Sequence, residues 1–475
     1  MANQMAWMII TWLMTAAAFA ADPGLQLVTF RVDVTPPIGE GPCVGFMPKV
    51  DSVEHPLEVR GIVLRANGQT FVIAALDYQG LCNSSDDEFR RRMAEAAGTT
   101  PGRVALQSLH QHSAPVLDVD AMRLLHGDDS EPVRRHIAFT TQMADRTAAA
   151  IREAVPKIKP VVRVVGSRAK ADRLASNRRV PQPDGSLLMR GSATRDPKLH
   201  EAPEGLIDPW LRTVTFFDAE RPMAQLHYYA THPMSFYGDA RISWDVPGLA
   251  RQQLEQEIGV FQIYFNGCGG NIGMGKYNDG SRAAREQLTD RMFDAMRRSA
   301  RVAAGGEATE TEKLDATVEV QSLKPAEIAW DQADLRFTVR DEGPFSATAL
   351  REKLQAGRPF TERMTAAMWS AWAARLKMGY RVSVSRLKLG AIQLVHLPGE
   401  PFVEFQLFAQ QVSADSFVCV AGYGECGVWY YGPDSIFRDR GGYEQSWSLT
   451  GPCQASVEAV LNHLLASPKM PLLEP

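Results

Sequence analysis

Between positions 71 and 109 the chain reads as strand, helix, strand, and no other stretch restricts its fold as much. Phe71-Val72-Ile73-Ala74-Ala75-Leu76 is an unbroken apolar run of the length of a buried strand. Asn83 to Ala97 carries helical signals, with Ser84 or Ser85 to open it and Gly98 to close it, and Val104 to Leu109 reads as strand again. Two strands joined through a helix pair in parallel, and ligand-binding loops then sit at the strands' carboxyl ends. That end carries Leu109-His110-Gln111-His112-Ser113-Ala114-Pro115. Strand residues i and i+2 share a face, so His110 and His112 can point together into one site. A third histidine, in Ala230-Thr231-His232-Pro233, follows another strand-like run. Any one of the ten histidines has an ordinary explanation as a loop residue bonded to a backbone carbonyl; three at apolar strand ends favour zinc.

The α/β rhythm continues down the chain. Pro247 to Ile258 predicts a helix with proline near its first turn, and Val260 to Phe265 a strand running into Asn266-Gly267-Cys268-Gly269-Gly270-Asn271-Ile272-Gly273. Val382 to Leu389 and Ile392 to Leu397, separated by Gly390-Ala391, predict an antiparallel hairpin. A helix from Pro401 to Val412, a strand from Ser416 to Ala421, a long loop to Tyr443 and a helix near Ala455 to Leu465 follow. The expected fold is α/β: a mixed, mostly parallel β-sheet core flanked by helices, in one large catalytic domain over residues 21–475. A charged, helix-rich insertion is expected at about 326–378. Its Trp330, Phe337, Phe345, Phe360, Trp369 and Trp372 either line a cleft or pack internally. No internal repeat is visible.

A chain of 475 residues with 45% apolar and 22% charged side chains can bury a sizeable core. The net charge of −4 argues against nucleic acid as a partner. Residues 1–20 are expected to be a signal peptide, because an apolar core from Trp7 to Met14 precedes Ala18-Phe19-Ala20, the small-residue pattern of a cleavage site. Cleavage then falls before Ala21, and the expected location is secreted or periplasmic. The rival reading, an uncleaved anchor, needs a longer apolar run. An oxidising compartment allows bridges among the six cysteines, and Cys419, Cys426 and Cys453 are close enough in sequence for a local one.

Familiar catalytic templates are missing: no H-E-x-x-H, no G-x-S-x-G, and no phosphate-binding G-x-x-x-x-G-K-[ST]. What stands out besides the histidines is a carboxylate in Leu397-Pro398-Gly399-Glu400-Pro401 and a tyrosine-rich loop, Trp429-Tyr430-Tyr431-Gly432-Pro433 through Gly441-Gly442-Tyr443-Glu444. Zinc takes imidazole nitrogen and carboxylate oxygen, and a hydrolytic site leaves one position for water. Glu400 also reads as a solvated carboxylate capping the following helix, and Tyr431 and Tyr443 as aromatic packing.

Taken in order, Thr35 to Gly39 (Thr-Pro-Pro-Ile-Gly), Leu-His-Gln-His-Ser-Ala-Pro, Ala-Thr-His-Pro, Asn-Gly-Cys-Gly-Gly-Asn, Pro-Gly-Glu and Gly-Gly-Tyr-Glu resemble the amino-terminal catalytic domain of the neutral/alkaline, non-lysosomal ceramidases, from roughly Phe30 to Pro452. The resemblance implies one Zn2+ per chain held by His110, His232, Glu400 and Tyr431. It implies His112 and Tyr443 facing the scissile amide, with Arg178, in Ser176-Asn177-Arg178, also in the site. The implied activity is zinc-dependent hydrolysis of an N-acyl bond in ceramide or a related small-molecule or lipid amide, with transient contact with a membrane surface allowed. Two departures stand out. Gly270-Asn271-Ile272-Gly273-Met274 replaces the family's Gly-Asp-Val-Ser-Pro, so Gly273 stands where a serine has been assigned as nucleophile, and no carboxy-terminal immunoglobulin-like domain is expected. Three other readings stay open: a metal-free binding protein, a cysteine hydrolase using Cys268 with His112, and a surface module with a decayed site.

Overall fold

The computed structural model describes residues 24–39, 50–219, 221–235, 240–305, 317–321 and 323–466. The expected signal peptide, residues 1–20, lies outside them. No helix among the described residues is long and apolar enough to cross a membrane.

Three sheets dominate. The first contains β1 (Leu25–Asp33), β2 (Glu58–Ala66), β3 (Gln69–Leu76), β4 (Val104–Ser108) and β5 (Lys159–Val161), in the order β4-β3-β2-β1-β5. The second contains β6 (Arg163–Lys170), β7 (Trp210–Asp218), β8 (Arg221–Tyr229), β9 (Phe261–Asn266) and β10 (Thr317–Gln321), in the order β9-β8-β7-β6-β10. The third runs β11-β12-β13-β14, from Ile328–Leu335, Val382–Leu389, Ile392–His396 and Phe417–Ala421.

Each sheet has the same plan. Three strands meander antiparallel, and the third continues through a helix into a strand that pairs with it in parallel. In the first sheet α1 (Ser84–Ala97) joins β3 to β4, with Leu76 opposite Ser108. In the second α2 (Asp245–Ile258) joins β8 to β9, with Tyr229 opposite Asn266. In the third α3 (Val403–Val412) joins β13 to β14, with His396 opposite Ala421. The repetition is topological, and no sequence repeat announces it.

One face of each sheet enters a common core. Ile62, Phe71 and Ile73 of the first meet Phe216, Leu226 and Ile263 of the second and Leu387, Leu394 and Phe417 of the third, each at most 7% exposed. Runs such as Phe71 to Leu76 are apolar without alternation because the opposite face is covered too, by helices. Burial of this size is what stabilises a chain of such length.

Two expectations need correction. The core is not one mostly parallel sheet, since each of the three larger sheets holds a single parallel pair and is otherwise antiparallel. The helix-rich insertion at 326–378 begins as a strand: Ile328–Leu335 forms the edge of the third sheet, paired antiparallel with β12. Trp330 there stacks on Phe71 of the first sheet, with ring centroids 5.3 Å apart and planes 8° from parallel. That contact outweighs the helical propensity of the surrounding charged residues. The second half of the stretch is helical as expected, at Ala347–Lys353 and Phe360–Lys377. The β12-β13 hairpin turns at Gly390, whose φ of 60° suits glycine.

Candidate active site

The three parallel pairs point their carboxyl ends at one place. Tyr423, just past β14, accepts from Ser108 N of β4 (2.7 Å), and Gly422 N donates to Asn266 O of β9 (2.9 Å). Gln107 Nε2 donates to Leu397 O and Gly422 O, both at 2.9 Å. These bonds tie the strand ends together, so residues just beyond them cannot drift apart. His110 follows β4, His232 follows β8 and Glu400 follows β13. This is where open α/β sheets bind ligands.

His110, His112 and His232 each offer a ring nitrogen, all within 4.8 Å of one another. His232 Nε2 lies 3.2 Å from His110 Nε2 and 2.9 Å from His112 Nε2. Glu400 Oε2 is 3.2 Å from His110 Nε2 and 4.0 Å from His232 Nε2. The outer nitrogens decide what this cluster wants. His110 Nδ1 is 2.6 Å from Gln79 O, and His232 Nδ1 is 3.4 Å from Gly269 O. A carbonyl only accepts, so each Nδ1 donates to it, and in the neutral ring the Nε2 lone pair is turned into the site. Burial, then the nearby Arg178 guanidinium and the neighbouring imidazoles, hold His232 well below the usual histidine range, so it stays neutral. The His110 lone pair faces a buried Glu400 Oε2 that lacks a hydrogen-bond donor, 3.2 Å away, an arrangement that is unfavourable unless a cation sits between them, with His232 Nε2 close enough to share it. The donor set therefore fits a metal ion.

His112 differs. The amide nitrogen of Gln79 lies 3.4 Å from His112 Nδ1. An amide nitrogen only donates, so here Nδ1 accepts and Nε2 carries the hydrogen. Burial, then the neighbouring His110 and Arg178, push the His112 pKa well down. Gln79 thus imposes opposite tautomers on the two histidines, through its main chain on one and its side chain on the other. His110 itself sits in the left-handed region at φ 66° and stacks on the ring of Tyr423, centroids 4.3 Å apart.

Glu400 is placed by a short parallel pairing in which Glu400 lies opposite Tyr430 and Pro401 opposite Tyr431. Gly399, at φ 56°, makes the approach possible, since a Cβ there would fall 2.7 Å from Val428 Cβ. Adjacent strand residues face opposite ways. Tyr431, expected at the metal, is accordingly turned away: its hydroxyl donates to Pro398 O (2.9 Å) and its ring packs on Phe337 and Phe405. Tyr430 takes the side of Glu400. Its ring lies within 18° of parallel to that of His232, with centroids 6.3 Å apart, and its hydroxyl is 3.0 Å from Tyr443 OH.

Arg178 is buried and donates to Tyr443 OH and to Ser192 Oγ (2.8 Å). Its Nε lies 3.2 Å from where a Cβ on Gly273 would project, so glycine at that position makes room for the guanidinium. Burial works against the Arg178 charge, yet the surrounding tyrosine hydroxyls and Glu444 hold its pKa above the ordinary value. The Tyr443 pKa is pushed up to about 12, chiefly by burial, which keeps the hydroxyl protonated.

These groups line a cavity of about 310 Å³. His110, His112, His232, Glu400, Arg178 and Tyr443, all expected in the site, are brought together there, and Tyr431 is not. Sequence reading missed Tyr430, Gln79, Ser192 and the apolar wall of Met189, Met234, Trp429 and Trp447. Only Gln79 and Tyr430 gave a signal: the first lies three residues past β3, the second beside the residue chosen.

Cys268, weighed as a nucleophile, is fully buried away from the cavity, and burial drives its thiol well above the usual range. Cys419, Cys426 and Cys453, close enough in sequence to allow a local bridge, are buried free thiols.

No family model and no curated protein matches the chain. Among solved structures it is similar to neutral ceramidase from Pseudomonas aeruginosa, with 18% identity, a TM-score of 0.65, and coverage of 93% of this chain and 74% of that one. A second, a ceramidase complexed with C2, gives 17% identity, a TM-score of 0.64, and coverage of 93% and 75%. The fold is that of neutral ceramidase.

Proposed function

We propose that this chain is a secreted, zinc-dependent amidase that hydrolyses an N-acyl bond, with ceramide or a related small or lipid amide as the substrate class. The observation that carries this reading is the convergence of the His110 and His232 lone pairs on Glu400 Oε2 at the carboxyl ends of the strands. The fold neighbours are ceramidases by name, and ceramide is an N-acyl amide. Export through residues 1–20 belongs to the same proposal.

The ligands in this reading are His110, His232, Glu400 and, in place of Tyr431, Tyr430. Zinc bound there supplies Lewis acidity and a water acidified to a pKa of about 7. His112, neutral and half-buried on the cavity wall, donates a hydrogen bond from Nε2–H to the oxyanion that develops on the scissile carbonyl. The Tyr443 hydroxyl donates to the oxyanion that develops on the carbonyl, and Arg178 aims that hydroxyl from behind.

Elemental analysis of the purified chain, with hydrolysis of a short N-acyl amide before and after chelation, tests the proposal. One zinc per chain, loss of turnover on chelation and recovery on adding zinc are expected. Stoichiometric zinc without cleavage of any amide overturns it.

A further inference from the structure

The shape of the cavity limits the acyl group, an inference that rests on the amidase reading above. Small-molecule sites run from roughly 300 to 1,000 Å³, and this one, at about 310 Å³, is at the small end. A long-chain lipid amide reaches beyond it, and only the part of the acyl group nearest the carbonyl is enclosed.

The two sides of the cavity differ. Arg178, Tyr443 and His112 occupy the polar side, and Met189, Met234, Trp429 and Trp447 the apolar side. An acyl chain belongs with the second group. That wall is backed by packed side chains. Trp429 is 7% exposed, lies nearly parallel to Trp447 with centroids 6.2 Å apart, and meets Trp369 edge-on at 6.4 Å. Trp369 rests in turn on Phe345, at 5.0 Å. Opposite, Met234 Sδ accepts from Ser192 Oγ at 3.2 Å, and Ser192 is held by Arg178. The two tryptophans and Met234 are thus held from behind, while Met189 closes the remaining edge of the apolar side. The aromatic stretch from 326 to 378, the alternative lining for a long chain, is spent elsewhere: Phe337, Phe345, Trp369 and Trp372 are in the core and none of them lines the cavity.

We propose that the site selects amides of short-chain or single-ring carboxylic acids, with Trp429, Trp447, Met189 and Met234 setting the upper limit on the acyl group.

The test uses the zinc-loaded full chain and one fluorogenic amine acylated with acetyl, butanoyl, octanoyl, dodecanoyl, hexadecanoyl and benzoyl groups, each below its aggregation threshold. The kcat/KM is expected to peak at octanoyl or shorter, or at benzoyl, and to fall at least tenfold by hexadecanoyl. Met189→Ala is expected to move the optimum toward longer acyl groups. A kcat/KM that climbs to hexadecanoyl overturns the limit and leaves the amidase standing, and a Met189→Ala profile identical to wild type overturns the role given to that wall. Should no amide be cleaved, the amidase fails and the limit is still read by tryptophan quenching with the free carboxylates. Octanoate or benzoate binding at least tenfold tighter than hexadecanoate supports it, and equal or tighter binding of hexadecanoate overturns it.

Discussion

Arg179 Nη1 lies 2.5 Å from Glu444 Oε2, one residue along both segments from the contact between Arg178 and Tyr443. The two pairs run side by side, one facing the cavity and the other behind it. Glu444 is fully buried, and Arg179 also reaches Asp439 at 2.7 Å. The rear pair fixes the distance at which the front pair works.

Glu444→Gln is therefore expected to lower kcat about tenfold or more with zinc content and KM little changed, because misplacement of a catalytic donor acts on the transition state. Glu444→Ala is expected to cost on the order of 2 kcal/mol of stability as well, since it takes away the buried partner of Arg179 and leaves only the more exposed Asp439. Metal analysis, steady-state kinetics and urea unfolding read the three quantities separately.

Ligands and catalysts should part on metal content. His110→Ala, His232→Ala and Glu400→Ala are expected to empty the site, whereas His112→Ala and Tyr443→Phe keep the zinc and lose about 100-fold or more in kcat. An empty His112→Ala protein beside a loaded His110→Ala protein would reverse the assignment within the motif.

The adjacent tyrosines give a sharper comparison. Tyr430→Phe is expected to weaken zinc binding and turnover. Tyr431→Phe should leave both alone and cost about 1 kcal/mol of stability through the lost bond to Pro398 O.

Gln79 offers a test of the tautomer argument. In Gln79→Glu the side chain accepts where the amide donated, so His112 protonates Nδ1 and turns an Nε2 lone pair toward the cluster. Tighter zinc binding with slower turnover is expected, measured by competition with a chromogenic chelator and by kcat.

Stability should fall on the acid side. Burial lowers the pKa of His136 to about 3, of His227 to about 4 and of His396 to about 3, and His136 Nε2 accepts from Asp118 N at 3.2 Å, which only the neutral ring can do. The unfolded chain titrates these groups near 6.5 and so binds more protons below that pH. Their stabilisation is complete above 6.5 and is lost as pH falls toward 3, at up to about 1.4 kcal/mol per pH unit for each group. Urea unfolding between pH 7 and 5 should show the slope, and His136→Gln should reduce it by up to one group's share.

What the sequence showed and what it hid follow from the range of the interactions involved. The units β3-α1-β4, β8-α2-β9 and β13-α3-β14 were legible because each is built from neighbours in the chain, and with them the positions of His110, His232 and Glu400. The antiparallel surroundings were not, since pairings such as β6 with β7 span long intervals. Ile328–Leu335 reads as helix until Phe71 is there to stack on Trp330. The choice between Tyr430 and Tyr431 rests on a register set by Glu400, which no local pattern encodes. Trp429, Trp447, Met189 and Met234 become one wall only when distant loops close.

His110 is held at φ 66°, where an L residue carries a backbone penalty on the order of 1 kcal/mol that glycine escapes. Against that penalty the fold sets only the stacking on Tyr423 and the bond to Gln79 O. In a population propagated without demand for turnover, position 110 should drift early toward glycine or asparagine and the chain should become harder to unfold as it does, so that thermal robustness and an intact site pull the same codon in opposite directions.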